Sequence, residues 1–156
     1  FEAMRDGMLQ VSGELDLTMH GPSQKLHSKP YSKRRAVYGY IDRQNVSPTL
    51  NSFDFANPNI HAPQRVETTV PQQALFAFNH PFVIERSATL AKKAFDSRTA
   101  NPSSQVEFLY RQILSRDPRK DESKLSVEFI GTDAKLANFE DLAQTLLVSN
   151  EFFFTD

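Results

Sequence analysis

Regular spacing of apolar residues in the second half of the chain constrains the fold more than any other feature. After Asn101-Pro102 the apolar positions are i, i+3, i+4, i+7 and i+8, occupied by Val106, Leu109, Tyr110, Ile113 and Leu114. This period places them on one face of an α-helix, and Asn followed by Pro is typical of a helix N-terminus. Asp117-Pro118 repeats the start signal, and the helix it predicts has an inward face of Leu125, Phe129 and Ile130.

Further helices are predicted from the same kinds of signal. One covers residues 1–11 and carries a rough apolar face. Thr69 and Gln72 fit a capping box for a helix that Pro81 should break. The next helix runs from Pro81 to Phe95, with inward residues Val83, Leu90, Ala91 and Ala94.

The last long helix is predicted to start after Asn138, following a helix end at Gly131. Glu140 and Asp141 would then lie in its first turn, where the helix dipole favours acids. Its inward residues are Leu142, Ala143, Leu146 and Leu147. These patterns predict an all-α or mainly α fold, an orthogonal helical domain of about five to seven helices.

Two segments lack a clear helical pattern. Residues 36–41 form a short β-prone run, and the sequence leaves open a brief helix or one strand of a short strand pair. Residues 45–66 carry three Pro and neither period, which predicts a long irregular loop pinned by Phe53 and Phe55. We therefore expect one domain: an N-terminal helix and basic segment (1–44), the loop (45–66) and a helical core (67–156).

Composition excludes several classes of site within this chain. It has no Cys, so disulfides, thiolate metal sites and Cys nucleophiles are excluded. With 18 basic and 19 acidic residues the net charge is −1, which does not favour nucleic acid. No apolar run approaches the ~20 residues of a membrane span. A nucleic-acid interface on the basic stretch 25–43 would have only Tyr31, Tyr38 and Tyr40 for base stacking.

Charged residues in and beside the loop are the main candidates for a functional site. Arg34, Arg35 and Arg65, with Lys33 and Arg43, could converge on an anion such as a phosphate, a sulfate or a sugar carboxylate. The alternative is that Arg34 or Arg35 pairs with Asp54 and pins the loop. Asp54 itself is either an acid with a raised pKa or, as we favour, a turn aspartate that accepts backbone N–H bonds.

Amides and histidines complete the candidates. Gln73 and Asn79 could bind a ligand from a helix rich in apolar residues, although capping and loop bonds explain them more simply. No two of the four His have helical ligand spacing, so we predict no metal site.

Ordered motifs along the chain resemble a known family. They are Arg5-Asp6, Val11-Ser12-Gly13, Arg34-Arg35, Phe53-Asp54, Asn57-Pro58, Arg65, Thr68–Leu75, Asn79–Val83, Leu109-Tyr110-Arg111, Leu114–Pro118 and Ser149–Phe152. In this order they resemble the planctomycete secreted-protein domain called domain of unknown function 1553, the PSD1 family. That pattern usually extends before the position of Phe1, so the resemblance implies a C-terminal fragment of a larger multidomain protein.

The resemblance implies a context but no reaction. Members are typically secreted, so we expect an extracytoplasmic location and an upstream domain of the same chain as partner. It implies no cofactor in this domain, with haem carried, if at all, elsewhere in the parent protein. Two functions stay open. One is a non-catalytic structural or interaction module, and the other is a contribution of Arg34, Arg35, Asp54 and Arg65 to a shared active site or anion site.

Overall fold

Helices account for every extended regular element in the computed structural model, which describes residues 1–64, 68–96, 101–131 and 133–154. The eight α-helices of these ranges are α1 (Glu2–Val11), α2 (Pro48–Ser52), α3 (Pro71–Asn79), α4 (Pro81–Phe95), α5 (Pro102–Leu114), α6 (Lys120–Ile130), α7 (Leu136–Leu147) and α8 (Asn150–Phe153). The mainly α prediction is confirmed, and α2 and α8 are single turns beyond the long helices.

The core forms around α4, which packs most extensively on α7 and also contacts α1, α3 and α5. The buried apolar residues at this centre include Met8, Leu9, Val83, Leu90, Ala91, Val106, Leu109, Phe139, Ala143 and Leu147. Burying one such Leu or Phe side chain contributes roughly 1.5–3 kcal/mol. The spacing-based prediction of inward residues on α4, α5 and α7 is confirmed.

The C-terminal end of α1 is held by side chains from distant helices. Lys93 Nζ of α4 donates to the Ser12 carbonyl oxygen at 2.7 Å. Gln112 Nε2 of α5 donates to the Val11 carbonyl oxygen, also at 2.7 Å. These bonds satisfy carbonyls that have no partner within their own helix, and they fix α1 against the core.

Helix starts match the sequence signals unevenly. Asn101 caps α5 as predicted, because its side chain accepts the Ser103 N–H. The capping box at Thr69 is wrong: α3 begins at Pro71, Val70 is the N-cap residue, and no side chain caps it. Thr69 lies one residue too early to reach the first-turn N–H groups.

Two other predicted helix starts are displaced by two and three residues. After Asp117-Pro118, α6 begins at Lys120 with Arg119 at the N-cap, and the Glu122 carboxylate accepts the Arg119 N–H at 2.7 Å. The seventh helix begins at Leu136, before the predicted start, so Glu140 lies beyond its first turn.

The inward face of α6 also differs from the prediction. Ile130 is buried, but Leu125 and Phe129 are 66% and 55% exposed, while Ser126 is buried in their place. The face is rotated because Tyr110 of α5 packs there, with its hydroxyl 3.5 Å from Ser126 Oγ. Gly131 ends the helix with φ of 74°, as expected.

The first half of the chain is mostly irregular. Residues 36–38 form a short 3₁₀ helix, so the brief-helix alternative holds. The described residues contain no strand pair beyond isolated parallel bridges, Asp16 with Arg34 and Gln24 with Gly39. The described part of the loop, residues 45–64, is irregular except for α2, and the centroid of the Phe53 ring lies 5.0 and 5.3 Å from those of Phe1 and Phe76.

Candidate functional site

Arg34 is buried and donates hydrogen bonds to the loop that follows α1. Its guanidinium donates to the carbonyl oxygens of Thr18, at 2.8 Å, and His20, and lies 3.9 Å from the Tyr38 ring centroid. The predicted Arg34–Asp54 pair does not form, because these bonds direct the guanidinium to residues 18–20. The donors of Arg34 therefore satisfy carbonyls of the loop between α1 and residue 34.

Asp54 is a turn residue with φ of 54°, in the left-handed region. Its carboxylate accepts the Thr68 N–H at 2.8 Å and the Thr68 hydroxyl. Nor is there an Asp54–Arg35 ion pair within the described ranges. The turn-aspartate interpretation therefore describes this side chain, which closes the loop onto the start of α3.

Gln73 and Asn79 also bond to backbone. Gln73 Nε2 donates to the carbonyl oxygens of Ser52 and Thr68, at 3.1 and 3.0 Å, so it ties α3 to the end of α2 and to the residues just before α3. Asn79 Nδ2 donates to the Leu75 carbonyl oxygen of its own helix. Arg65, the remaining candidate, lies outside the described residues.

Arg35 is the candidate that faces an open cleft. The cleft has a volume of about 630 Å³, and its walls are the start of α1, parts of the segment 26–41, and Leu50 and Phe55 from the first half of the loop. The polar side chains that line it are Glu2, Asp6, His27 and Arg35, and the apolar ones include Phe1, Leu26, Val37, Ile41, Leu50 and Phe55. A second cavity of about 350 Å³ shares Leu26, His27, Ile41 and Leu50 with it.

The negative charge of Asp6, which lines this cleft, is already offset by Arg5. Its carboxylate accepts the Ala36 N–H at 2.9 Å and lies 3.0 Å from Arg5 Nη1. The structure therefore brings together Arg35, Glu2, a paired Asp6 and the imidazole of His27. It does not bring Arg34, Gln73 or Asn79 to the cleft wall.

Beneath the cleft lies a group of buried charges that the site prediction missed. Arg5 is 1% exposed and donates to the carbonyl oxygens of Ser32 and Arg34. Burial lowers the pKa of Arg5 below its usual value, while the adjacent Asp6 opposes that shift. The sequence signal for this burial is position, since Arg5 falls on the same helical face as Met8 and Leu9.

Arg86 of α4 completes the buried group. It is 5% exposed, its Nε lies 2.8 Å from Glu14 Oε2, and Lys33 Nζ approaches the other oxygen of that carboxylate at 3.0 Å. Burial raises the pKa of Glu14, but the bond to Lys33 and the charge of Arg86 outweigh it, so its pKa is lowered overall. A carboxylate between two cations is a structural ion pair.

A separate apolar groove lies between α3 and α8. It has a volume of about 120 Å³, and its apolar lining is Val70, Ala74, Ala77, Phe78, Val148, Phe153 and Phe154. Phe78 and Phe154 are 57% and 61% exposed, and Leu75, one turn before Phe78, is 60% exposed. Gln144 Nε2 donates to the Phe78 carbonyl oxygen at 2.7 Å, which joins α7 to the groove wall.

In the described part of the chain, no cluster of three or more His, Asp or Glu side chains is arranged to hold a metal ion. No described helix combines the length and apolar character needed to cross a bilayer.

Comparison with known proteins identifies a family. A family model described as "PSD1: Protein of unknown function (DUF1553)" matches residues 1–130 of the 156-residue chain. No curated protein and no solved structure matches the chain.

Proposed function

The chain belongs to the PSD1 family of proteins of unknown function (DUF1553), and we propose that this domain is a non-catalytic structural and interaction module. It would complete a neighbouring domain of a secreted multidomain protein. The candidate residues support this proposal by what they bond to. Arg34, Asp54, Gln73 and Asn79 all bond to parts of their own chain.

The apolar groove between α3 and α8 is the observation that carries the proposal. Phe78 and Phe154 of this groove are both more than half exposed, as is Leu75, which precedes Phe78 by three residues on α3. Large apolar groups clustered on a soluble surface are typical of an interaction site. Aromatic side chains are also the residues that contribute most to interfaces when they become buried.

The groove is held in place before any partner binds. Arg116 joins Glu122 at the start of α6 to Glu151 of α8, with N–O distances of 2.7 and 2.5 Å. Phe152 and Phe153 pack on the core, which leaves Phe154 outermost. A surface already ordered in the free domain loses little conformational entropy on binding. The occupant we propose is the preceding domain of the same polypeptide.

Hydrogen exchange tests this occupant. The chain 1–156 is compared with a longer chain that includes the preceding domain. We expect slower amide exchange in α3 and α8 of the longer chain, and Phe78→Ser should remove that difference. Phe129→Ser is the matched control, since Phe129 is 55% exposed but lies on α6. Equal exchange of α3 and α8 in the two chains would contradict the proposal.

Arg35 supports a second candidate function, an anion site in the cleft. Its exposed guanidinium can bind a phosphate, a sulfate or a sugar carboxylate through two parallel N–H bonds. Asp6 beside it is paired with Arg5, so its negative charge is offset. The ligand proposed is the anionic group of an extracellular polysaccharide, bound by this domain alone or in a site shared with the preceding one.

Titration with inorganic phosphate, sulfate and glucuronate tests the anion site. We expect backbone NMR shifts at residues 35–39 that saturate with at least one of the three anions, and a several-fold weaker response in Arg35→Gln. Arg43→Gln is the control, because Arg43 is exposed outside the cleft lining. Identical titrations for Arg35→Gln and the unmodified chain would rule this candidate out.

A further inference from the structure

A continuous set of rings joins the irregular first half of the chain to α3 and α4. We call it the aromatic seam: Phe1, His27, Tyr31, Phe53, Phe76, His80 and Phe82. The centroid of Phe1 lies 5.5 Å from that of His27 and 5.6 Å from that of Phe76. The ring of Phe76 stacks on His80 at 4.2 Å, and Tyr31 lies 5.7 Å from His80.

His80 occupies the hinge between α3 and α4. It is the last residue before Pro81 and has extended backbone angles, φ of −74° and ψ of 129°. Its Nδ1 accepts the Phe82 N–H at 3.2 Å and so caps α4. An imidazole accepts such a bond only when that nitrogen carries no proton. A protonated ring would lose the cap and place a positive charge at a helix N-terminus, where the dipole disfavours it.

His27 lies at the other end of the seam in a similar environment. Its Nε2 is buried and has no hydrogen-bond partner among the described residues. Its ring is tilted by 33° against that of Phe1. A second proton would put a charge into this apolar contact, and an unpaired buried charge is costly.

The acids near the two rings are already paired with cations, and the Glu2 carboxylate lies 3.6 Å from the Phe1 α-ammonium group. The titratable groups around the two rings are Glu2, Arg5 and Asp6 of α1, Lys29 and Tyr31 of the following loop, and Glu85 and Arg86 of α4. Asp6 is paired with Arg5, and Glu85 is shared by Lys29 and Arg86 at 3.0 and 3.3 Å. Arg5 and Arg86 both lie against the Phe82 ring, at 5.5 and 5.1 Å.

We propose that the aromatic seam is an acid-sensitive latch, in which protonation of His80 and His27 removes the cap of α4 and separates α3 from α1. The opening would be centred on the hinge at His80. The helical pair α4 and α7 would stay packed, because the seam rings other than Phe82 lie outside the core at its centre. This inference is independent of the docking role proposed for the groove.

The direction of the pH effect follows from the environment of each ring. Burial, followed by the charges of Arg5 and His80, lowers the pKa of His27 below its usual 6.5, and Glu2 opposes this. Burial also lowers the pKa of His80, with Lys29 adding to the effect and Glu85 opposing it. A histidine with a lowered pKa in the closed state stabilises that state above pH 6.5. This stabilisation is lost as the pH falls toward the lowered value.

The size of the effect is set by proton linkage. A histidine has one pKa in the closed state and a higher one in the open state. As the pH falls between these two values, the ratio of closed to open molecules falls by up to about tenfold per pH unit. Carboxylates whose pKa is lowered, such as Glu14, respond only below pH 4.5. A transition between pH 6.5 and about 5 is therefore assigned to the histidines.

Amide exchange at Phe82, Val83 and Ile84 tests the latch. After correction for intrinsic rates, the exchange rate in the unmodified chain should rise several-fold as the pH falls from 7 to 5. His80→Asn should remove most of this rise, since Asn is a good N-cap that does not titrate. His27→Phe keeps an apolar ring and should remove the remainder. His61→Asn is the control, because His61 is an exposed loop residue outside the seam.

Imidazole proton NMR gives a test that does not depend on any variant folding. The rings of His27 and His80 should titrate below pH 6.5 in the unmodified chain. Titration of both rings at or above 6.5 would overturn the proposal. So would a corrected exchange rate that does not change between pH 7 and 5, or the same rise in His80→Asn as in the unmodified chain.

Discussion

At the scale of single residues, the arginines decide how the irregular first half is held. Loops without secondary structure leave carbonyl oxygens that need donors, and a guanidinium supplies up to five N–H groups. Arg5 and Arg34 bond to four carbonyls between residues 18 and 34. Composition shows that such donors are available, but which carbonyls they reach depends on how the chain is folded around them.

Replacing Arg5 with Met tests this role. Arg5→Met removes donors from the carbonyls of Ser32 and Arg34 and leaves Asp6 without its cation. Unsatisfied buried groups cost about 1–3 kcal/mol each, so we expect a loss of about 3 kcal/mol in the free energy of unfolding, measured in urea. Lys124→Met, at an exposed site on α6, should change it by less than about 0.5 kcal/mol. Similar values for the two variants would contradict the role of Arg5.

At the scale of helices, a few atoms decide where a helix begins. The starts of α5 and α6 are stabilised by different kinds of cap. The Asn101 cap is a local arrangement of adjacent residues, and its signal is correspondingly plain in the sequence. The start of α6 depends instead on the Glu122 carboxylate, which accepts the Arg119 N–H and the Arg116 guanidinium together. That arrangement includes Glu151 of α8, which is distant in sequence, so no short motif predicts it.

Mutation can distinguish the predicted cap that forms, at Asn101, from the one that does not, at Thr69. Asn101→Ala should cost about 1 kcal/mol of unfolding free energy, because a first-turn N–H of α5 loses its acceptor. Thr69→Ala, at the cap that the sequence predicts and the structure lacks, should cost close to nothing. Thermal denaturation of both variants measures the difference. A larger loss for Thr69→Ala than for Asn101→Ala would show that α3 starts as the sequence predicts.

Arg116 should control the pKa of Glu122, the carboxylate at the start of α6. The bond from Arg116, followed by the Arg119 N–H, lowers the pKa of Glu122 from 4.5 to about 2. A depressed carboxyl pKa stabilises the folded state above pH 4.5, and this is lost as the pH falls toward 2. In Arg116→Gln we expect the Glu122 pKa, measured by carboxyl carbon NMR, to rise toward 4.5. Arg111→Gln, which removes the separate Arg111–Asp117 pair, should leave it unchanged.

At the scale of the whole molecule, packing around α4 decides which apolar residues form the core. Leu90 is fully buried there, whereas Leu125 of α6 is 66% exposed although both have helical spacing. Periodicity identifies a face of a helix, but the direction of that face is set by neighbouring helices distant in sequence. Tyr110 of α5 occupies the space beside Ser126, so Leu125 points away from it.

A pair of Leu variants measures this difference. Leu90→Ala should lower the free energy of unfolding by about 2–5 kcal/mol, because it leaves a cavity at the centre of the core. Leu125→Ala should change it by less than about 0.5 kcal/mol, since the side chain is already in water. Chemical denaturation of the two proteins provides both values. Comparable losses would mean that α6 presents the face that the sequence predicts.

The amino-acid sequence by itself determined the mainly α class, the Asn101-Pro102 start, the end at Gly131 and the inward faces of α4, α5 and α7. Each depends on interactions within a few residues or on a period that one helix contains. Only the tertiary structure decided that Arg34 turns inward, that Arg35 faces the cleft, and that Phe78 meets Phe154 in a groove. Those placements join segments far apart along the chain, and their energies depend on which neighbours the fold supplies.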